Sequence, residues 1–184
     1  RELLTQADFS FSVLPTNADE SLPAGVTPRE AVGILARRKA EAAVRMEEYR
    51  RQTAPGDVIL AADTVVDLGG TIFGKPDSRE DAARMLRALS GKRHSVHTGF
   101  CVLAGEKRLC GVESTSVEFY PLTDGEIADY LETGEPMDKA GAYGVQSLGA
   151  LLVERIDGDF YNVMGLPVEK LGQCLTKHFG VRFF

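Results

Sequence analysis

The chain has 184 residues, of which 43% are hydrophobic and 26% charged, and its formal net charge is -6. This length and composition predict one globular domain over residues 1–184 and leave little room for a second. The lack of a long apolar run argues against a membrane span, and the acidic balance argues against a broad nucleic-acid surface, so any phosphate binding would need a local cluster of basic side chains.

Strand patterns recur along the chain and alternate with helix patterns. We predict strands at residues 9–14, 58–67, 71–73, 96–103, 112–119 and 151–156. The alternation predicts an α/β or α+β domain built on a mixed sheet.

Capping patterns mark where the helices begin. Thr27 is followed directly by a proline and, three positions on, by a glutamate, which is the pattern of a capping box. The same three-residue spacing from cap to glutamate starts at Asp77 and at Thr123. A final helix should follow Pro167. Lys39 falls within the apolar stripe of the first capped helix, so either it has an anionic partner or its ammonium reaches past the stripe to water.

The cysteines are odd in number and lack metal-ligand spacing. We therefore expect reduced thiols in a cytoplasmic protein, not a disulfide framework, at Cys101, Cys110 and Cys174. We expect His94 and His97 on one face of their strand, and without a nearby cysteine or third histidine they do not predict a zinc site. His94 and Thr98 are interpreted as structural partners at a site rim.

An apolar run at residues 58–62 predicts a buried strand that delivers Asp63 and Thr64 to a place where burial disfavours charge. Such a carboxylate could bind a divalent cation, act as a general base or form a structural ion pair. Glu20 follows the first predicted strand and could complete a cation site with Asp63, or face water as a loop acid.

Lysines from separate parts of the chain could form a cationic pocket. Lys75 lies between a glycine and a proline, which restrict the backbone around it. With Lys39 and Lys139 it could bind the non-bridging oxygens of a polyphosphate. The residues around Lys75 lack the spacing of a Walker A loop, so P-loop chemistry is not expected.

The run at residues 134–146 combines ionisable side chains with glycines and fits neither helix nor strand periodicity. Gln146 carries an amide that can donate and accept at once, as the reading of a base edge requires. Asp138 and Lys139 precede it. The run is either a ligand loop or an ordered surface turn with a solvated ion pair.

Several motifs in order along nearly the whole chain resemble the Maf family of nucleoside triphosphate pyrophosphatases. They are ADTVV at residues 62–66, GKP at 74–76, LSG at 89–91 with HSV at 94–96, GEPMDKAGAYGVQ at 134–146, and GDF at 158–160 through NV at 162–163 to GLP at 165–167. The resemblance implies an α/β fold similar to that of the inosine triphosphate pyrophosphatases. In that fold, helices flank an elongated mixed sheet and a cleft separates two lobes.

The resemblance also implies hydrolysis between the α- and β-phosphates of a nucleoside triphosphate, with Mg²⁺ or Mn²⁺ as cofactor. The loop at residues 138–146 is similar to the branch that acts on dTTP and UTP. By position, Asp63 matches the family's proton acceptor and Thr64 and Gln146 match its specificity positions. Glu20, Lys39 and Lys75 match further polar site residues of the family.

These roles agree with the chemistry of the side chains. Asp63 with Glu20 could supply the base and the metal ligands, and a wall of Lys39, Lys75, Asp138 and Lys139 could face the phosphates. We expect a nucleoside triphosphate as the partner, with no nucleic acid and no membrane. A homodimer and a cytoplasmic location are further expectations.

The family begins with a strand that ends in Ser-x-Ser-Pro-Arg-Arg, and this chain starts after it. Arg1 is therefore assigned no catalytic role, and activity should be badly reduced if that loop is absent from the molecule. Two alternatives remain open: a pyrophosphatase for modified or non-canonical nucleotides, and a catalytically impaired, nucleotide-binding regulator of cell division.

Overall fold

The computed structural model of the protein describes residues 1–52, 54 and 56–182. Its sheet has five strands in the order β2-β1-β3-β4-β5. The strands are β1 (Ile59–Leu68), β2 (Thr71–Phe73), β3 (Arg93–Ala104), β4 (Lys107–Phe119) and β5 (Val153–Asp157). The predicted α/β class is confirmed. The prediction of a mixed sheet is wrong, because all four pairings among these strands are antiparallel. Two of the pairings follow from two-residue turns, which only antiparallel neighbours can use.

Seven α-helices accompany the sheet in the described part of the chain. They are α1 (Glu2–Gln6), α2 (Pro28–Arg45), α3 (Glu47–Gln52), α4 (Arg79–Leu89), α5 (Asp124–Glu132), α6 (Phe160–Val163) and α7 (Val168–Cys174). Complete capping boxes at Thr27 and Thr123 confirm the predicted starts of α2 and α5. The cap of α4 is Ser78 and not Asp77, because the Ser78 hydroxyl accepts from the backbone N–H of Asp81, one of the free N–H groups in the first turn of that helix.

Helix α2 lies against one face of the sheet at very short range. An ideal Cβ on Gly99 of β3 would sit 2.2 Å from the carbonyl oxygen of Val32, so only glycine permits this approach. Small residues continue the contact, since Ala36 and Ala40 are fully buried. The glycine therefore sets how closely α2, the helix that carries Lys39, lies over the sheet.

The opposite face of the sheet carries two separate core clusters. One is built around α4 and α5 and includes Leu86, Leu89 and Phe119. The other is built around Phe100, with Leu171 of α7. Met164 packs against both clusters, so the two halves of the molecule meet there. No helix in the described ranges combines the length and apolarity that a bilayer crossing requires.

Several local predictions are wrong. Residues 9–14 form no strand, and β5 begins at Val153 because a 3-10 helix, Leu148–Leu152, occupies the residues before it. His94 and His97 lie on opposite faces of β3, since three positions separate them and side chains alternate along a strand.

The prediction of reduced thiols is also wrong for one pair of cysteines. Cys101 and Cys110 form a disulfide, and only Cys174 is free. The two residues face each other directly across β3 and β4, with 4.0 Å between their Cα atoms. Sequence spacing does not reveal this, because the pairing depends on the strand register.

Candidate active site

A cavity of about 320 Å³ opens beside β1, between α2 and the loop that follows α5. Its volume lies in the range of small-molecule sites. Apart from Glu20, every residue predicted for the site lines it: Lys39, Asp63, Thr64, Lys75, Asp138, Lys139 and Gln146. The lining also includes the apolar side chains of Val66, Val96, Val163 and Met164. The fold thus brings together polar side chains that are far apart in sequence.

Lys39 is the centre of the polar group at one wall of the cavity. Its Nζ donates to Oδ1 of Asp63 at 2.5 Å and lies 3.0 Å from Oε1 of Glu20. The Asp63 side chain is only 15% exposed, whereas that of Glu20 is 65% exposed. Of the two alternatives for the inward-facing Lys39, the structure shows the anionic partner.

The environment of this group changes the ionisation of both partners. Burial raises the pKa of Asp63 above its usual range, and the Glu20 carboxylate adds to this, while the charges of Lys39 and Lys75 oppose it. Partial burial lowers the pKa of Lys39, but the hydrogen bonds and charges of Asp63 and Glu20 outweigh that effect and raise it overall. Asp63 is therefore a carboxylate with increased proton affinity beside a firmly protonated ammonium.

The loop at residues 134–146 is ordered and forms the opposite wall. Lys139 donates to Asp138 at 2.5 Å, and this bond, together with the charge of Lys75, keeps the pKa of Asp138 low. The loop is joined to the segment that carries Lys75, because the N–H of Gly141 donates to the carbonyl of Gly74 at 2.9 Å. Gly141 has φ +70° and would clash with Val66 if it carried a Cβ.

Glu135 holds the far end of the same loop. Its carboxylate accepts from the Tyr130 hydroxyl at 2.8 Å and from the backbone N–H groups of Leu148 and Gly149 at 3.2 and 3.1 Å. The Tyr130 oxygen in turn accepts from the N–H of Gly144 at 3.1 Å. This network determines where Gln146 stands, since it holds the backbone on both sides of that residue. Neither Glu135 nor Tyr130 was predicted to have a role, because sequence patterns give no signal of hydrogen bonds between a helix and the loop that follows it.

Thr64 faces the cavity and is also bonded to the interior of the sheet. Its hydroxyl lies 2.9 Å from the hydroxyl of Thr98 on β3. Thr98 is fully buried and donates to the backbone carbonyl of Asn162 at 3.0 Å. The prediction that Thr98 is a structural partner near the site is confirmed, whereas the part of Asn162 was not predicted.

The two histidines of β3 have separate environments. His94 is buried beside the cavity, where its Nε2 and the hydroxyl of Tyr143 are 2.8 Å apart, and burial lowers the pKa of His94 to about 4. His94 is therefore neutral at neutral pH. His97 lies on the other face of the strand, with Asp67 and Ser114 as its partners. Neither histidine is part of a candidate metal cluster, because the described residues contain no such group of three or more ligands.

Asp63 and Glu20 are nevertheless suited to share a hard cation with a substrate. Mg²⁺ is usually held by one or two carboxylates together with phosphate oxygens and water, so a complete protein cage is not needed. In this structure both carboxylates contact the Lys39 ammonium. The two side chains are therefore close enough to contact one cation together. The donor set fits Mg²⁺ or Mn²⁺ with a bound polyphosphate.

The chain resembles known proteins over its full length. The family model described as Maf-like protein matches residues 1–178. A protein of Halalkalibacterium halodurans named dTTP/UTP pyrophosphatase is 44% identical over 184 residues, which are 100% of this chain and 93% of that protein. Proteins of the same name from Bdellovibrio bacteriovorus and Thermococcus kodakarensis are 44% and 47% identical, covering 96% and 92% of this chain and 92% and 86% of their own lengths. The chain therefore belongs to the family of Maf-like proteins.

Proposed function

We propose that this protein hydrolyses dTTP and UTP to the nucleoside monophosphate and pyrophosphate. The observation that carries the proposal is the Asp63 carboxylate, mostly buried and bonded to Lys39, in a cavity that three lysines line. A base among cations is what attack of water on a polyphosphate needs. The names of the relatives in the same family support the reaction and the two substrates.

In the proposed reaction, Asp63 accepts a proton from water as the water oxygen attacks the α-phosphorus. The bond between that phosphorus and the oxygen that bridges it to the β-phosphorus breaks, and its electron pair leaves with the pyrophosphate. Lys39 occupies Oδ1 of Asp63, so we assign the proton to Oδ2. The raised pKa of Asp63 suits this task, because a base with greater proton affinity draws the proton more strongly.

The lysines of the cavity would neutralise the phosphate charges. Lys75 and Lys139 line the cavity together with Lys39, and Asp138 holds Lys139 at 2.5 Å. Charge accumulates on the leaving pyrophosphate in the transition state, so ammonium groups placed beforehand lower the barrier. Asp63 and Glu20 would hold a divalent cation, which when bound would draw the phosphates together and offset their charge.

Gln146 and Thr64 are the proposed readers of the base. Both line the cavity, and both carry polar atoms that can bond the edge of a pyrimidine. We place the activity in the cytoplasm on the ground of its nucleotide substrates alone. The homodimer stays a prediction.

A panel of nucleotides tests the proposal directly. Pyrophosphate release by the purified protein of full natural length should be measured with Mg²⁺ and Mn²⁺ on dTTP, UTP, dCTP, CTP, dATP, GTP and 5-substituted pyrimidine triphosphates. We expect dTTP and UTP to have the highest kcat/KM. A modified nucleotide at the top of the ranking would instead support the function in clearing non-canonical nucleotides. Saturable binding without pyrophosphate release would support the regulatory alternative.

A further inference from the structure

A line of three polar groups leads from the cavity into the buried interior of the protein. It starts at the Thr64 hydroxyl, continues to the Thr98 hydroxyl at 2.9 Å and ends at the backbone carbonyl of Asn162, 3.0 Å further on. Thr98 and Asn162 are both fully buried. Neither residue is exposed to solvent, so the surrounding protein groups determine their hydrogen-bonding roles.

The position of the Asn162 carbonyl is well determined. The Asn162 side chain donates to the carbonyl of Val96 at 3.0 Å and to the hydroxyl of Thr115 at 2.9 Å. The N–H of Gly165 donates to the Asn162 carbonyl, also at 3.0 Å. These bonds hold the short helix α6 against the sheet and keep the carbonyl oxygen beside Thr98.

The direction of each bond follows from the number of protons. A carbonyl has no proton to donate, so the oxygens of Thr98 and Asn162 can approach to 3.0 Å without repulsion only if the Thr98 proton lies between them. A threonine hydroxyl has a single proton. Thr98 must therefore accept from Thr64, and the proton of Thr64 points into the sheet.

Thr64 consequently turns only lone pairs toward the cavity. Thr64 and Gly165 both line the cavity, and an ideal Cβ on Gly165 would lie 3.5 Å from Oγ1, so the glycine leaves the space beside that oxygen unfilled. A group bound there has to donate a hydrogen bond to Thr64. An unprotonated ring nitrogen at the same place would face the lone pairs of Thr64. The nitrogen lone pair would then have no donor, and an unpaired acceptor is costly in a cavity.

We propose that Thr98 is a positioning residue for substrate selection, which makes Thr64 an obligate acceptor and so favours bases with an N–H at position 3. Thymine and uracil carry that N–H, whereas the corresponding nitrogen of cytosine has only a lone pair. The inference rests on the proposed function and deepens it by naming how one residue of the site distinguishes the two classes of pyrimidine. Gln146 remains free to bond the neighbouring edge of the base.

Replacing Thr98 with valine tests this proposal, because valine keeps the shape and removes the hydroxyl. The Thr64 proton then loses its acceptor and can turn into the cavity, where it can bond the cytosine nitrogen. We expect the ratio of kcat/KM for dTTP over dCTP, and for UTP over CTP, to fall about tenfold in Thr98→Val. Thr98→Ser retains the hydroxyl and should keep the wild-type ratio.

A merely structural role of Thr98 would lower turnover of both nucleotides together and leave their ratio unchanged, and that result would overturn the inference. Thermal denaturation shows whether Thr98→Val is folded. If Thr98→Val does not fold, the same kcat/KM ratios are measured for Thr64→Val. Loss of the acceptor should lower the ratio for dTTP over dCTP, and an unchanged ratio would contradict the inference. Wild-type protein that hydrolyses none of these nucleotides would refute the proposed function itself, a result distinct from a preserved preference in the variants.

Discussion

Lys39 reaches from helix α2 to strand β1 and donates to Asp63 at 2.5 Å. The bond joins two elements that Gly99 brings unusually close, since Asp63 pairs with Gly99 in the sheet and Val32 of α2 lies directly over that glycine. The position of the proposed base therefore depends on how one helix packs on one strand. The following predictions test this arrangement and the loop that faces it.

Asp63→Asn should abolish most pyrophosphate release from dTTP while the protein remains folded. The amide cannot take a proton from water, and the loss of a general base costs about 10²–10⁴-fold in rate. The measurement is kcat/KM together with a thermal melt. Asp129→Asn, which changes an exposed carboxylate on α5, is the matched control and should behave as wild type. Turnover retained in Asp63→Asn would exclude Asp63 as base and as metal ligand.

The acid limb of kcat/KM should follow the pKa that Asp63 has in the free enzyme, before the nucleotide and its cation bind. The base works only when deprotonated, and burial raises the pKa of Asp63 above the ordinary value of 3.8, so activity is lost as the pH falls through that raised pKa. The charge of Lys39 opposes the shift. Lys39→Met should therefore move the acid limb of kcat/KM to still higher pH, and Lys39→Arg should leave it near its wild-type position.

Substrate phosphates titrate as well, so the test is the difference between the variants measured with the same nucleotide. An acid limb that moves to lower pH in Lys39→Met would contradict the assignment of that limb to Asp63.

Gly99→Ala should weaken both the fold and the activity. The new Cβ would lie 2.2 Å from the carbonyl oxygen of Val32, so α2 must move away from the sheet and take Lys39 with it. We expect the free energy of unfolding in urea to fall by about 1–3 kcal/mol, and kcat/KM for dTTP to fall too. Gly125→Ala is the control, because its Cβ would meet only Thr123 Oγ1 at 3.8 Å in helix α5. A fully active Gly99→Ala would show that the contact does not position Lys39.

Glu135→Gln should raise KM more than it lowers kcat. The amide of glutamine presents a donor where the carboxylate accepts from Tyr130 or from the N–H groups of Leu148 and Gly149, so the loop that carries Gln146 loses part of its support. A lost bond to a charged acceptor costs about 1–3 kcal/mol of stability. Steady-state kinetics gives KM and kcat, and urea unfolding gives the loss of stability.

The matched control for Glu135→Gln is Glu132→Gln. Glu132 is exposed and pairs only with Arg79 among its described contacts, and an exposed ion pair contributes about 0–1 kcal/mol. Equal effects of the two substitutions on KM would show that Glu135 does not hold the substrate loop.

Much of the local structure followed from short patterns. The caps at Thr27 and Thr123 begin α2 and α5 because a hydroxyl followed three positions later by a glutamate satisfies free N–H groups within one turn. The polar residues expected around Asp63 line one cavity, apart from Glu20, which contacts Lys39. These predictions needed only neighbours in sequence, or motifs that keep the same order in a known family.

Other features could not be predicted, since they depend on register and on contacts between distant segments. Cys101 meets Cys110 only because β3 and β4 pair in one register, and Glu135 becomes the support of its loop only when Tyr130 and Gly149 fold around it. From sequence alone, Glu135 cannot be distinguished from a solvent-exposed acidic residue in a loop.

The sequence by itself determined most of the strands and longer helices, the family and the chemical groups available to the site, because caps, periodicity and motifs are local properties of the chain. Only the tertiary structure decided what those groups can do. Burial raises the pKa of Asp63, the approach of α2 at Gly99 brings Lys39 to it, and the buried carbonyl of Asn162 orients the hydroxyl of Thr64 through Thr98. Proton affinity and bond direction depend on surroundings that distant parts of the chain supply, and those surroundings exist only once the protein has folded.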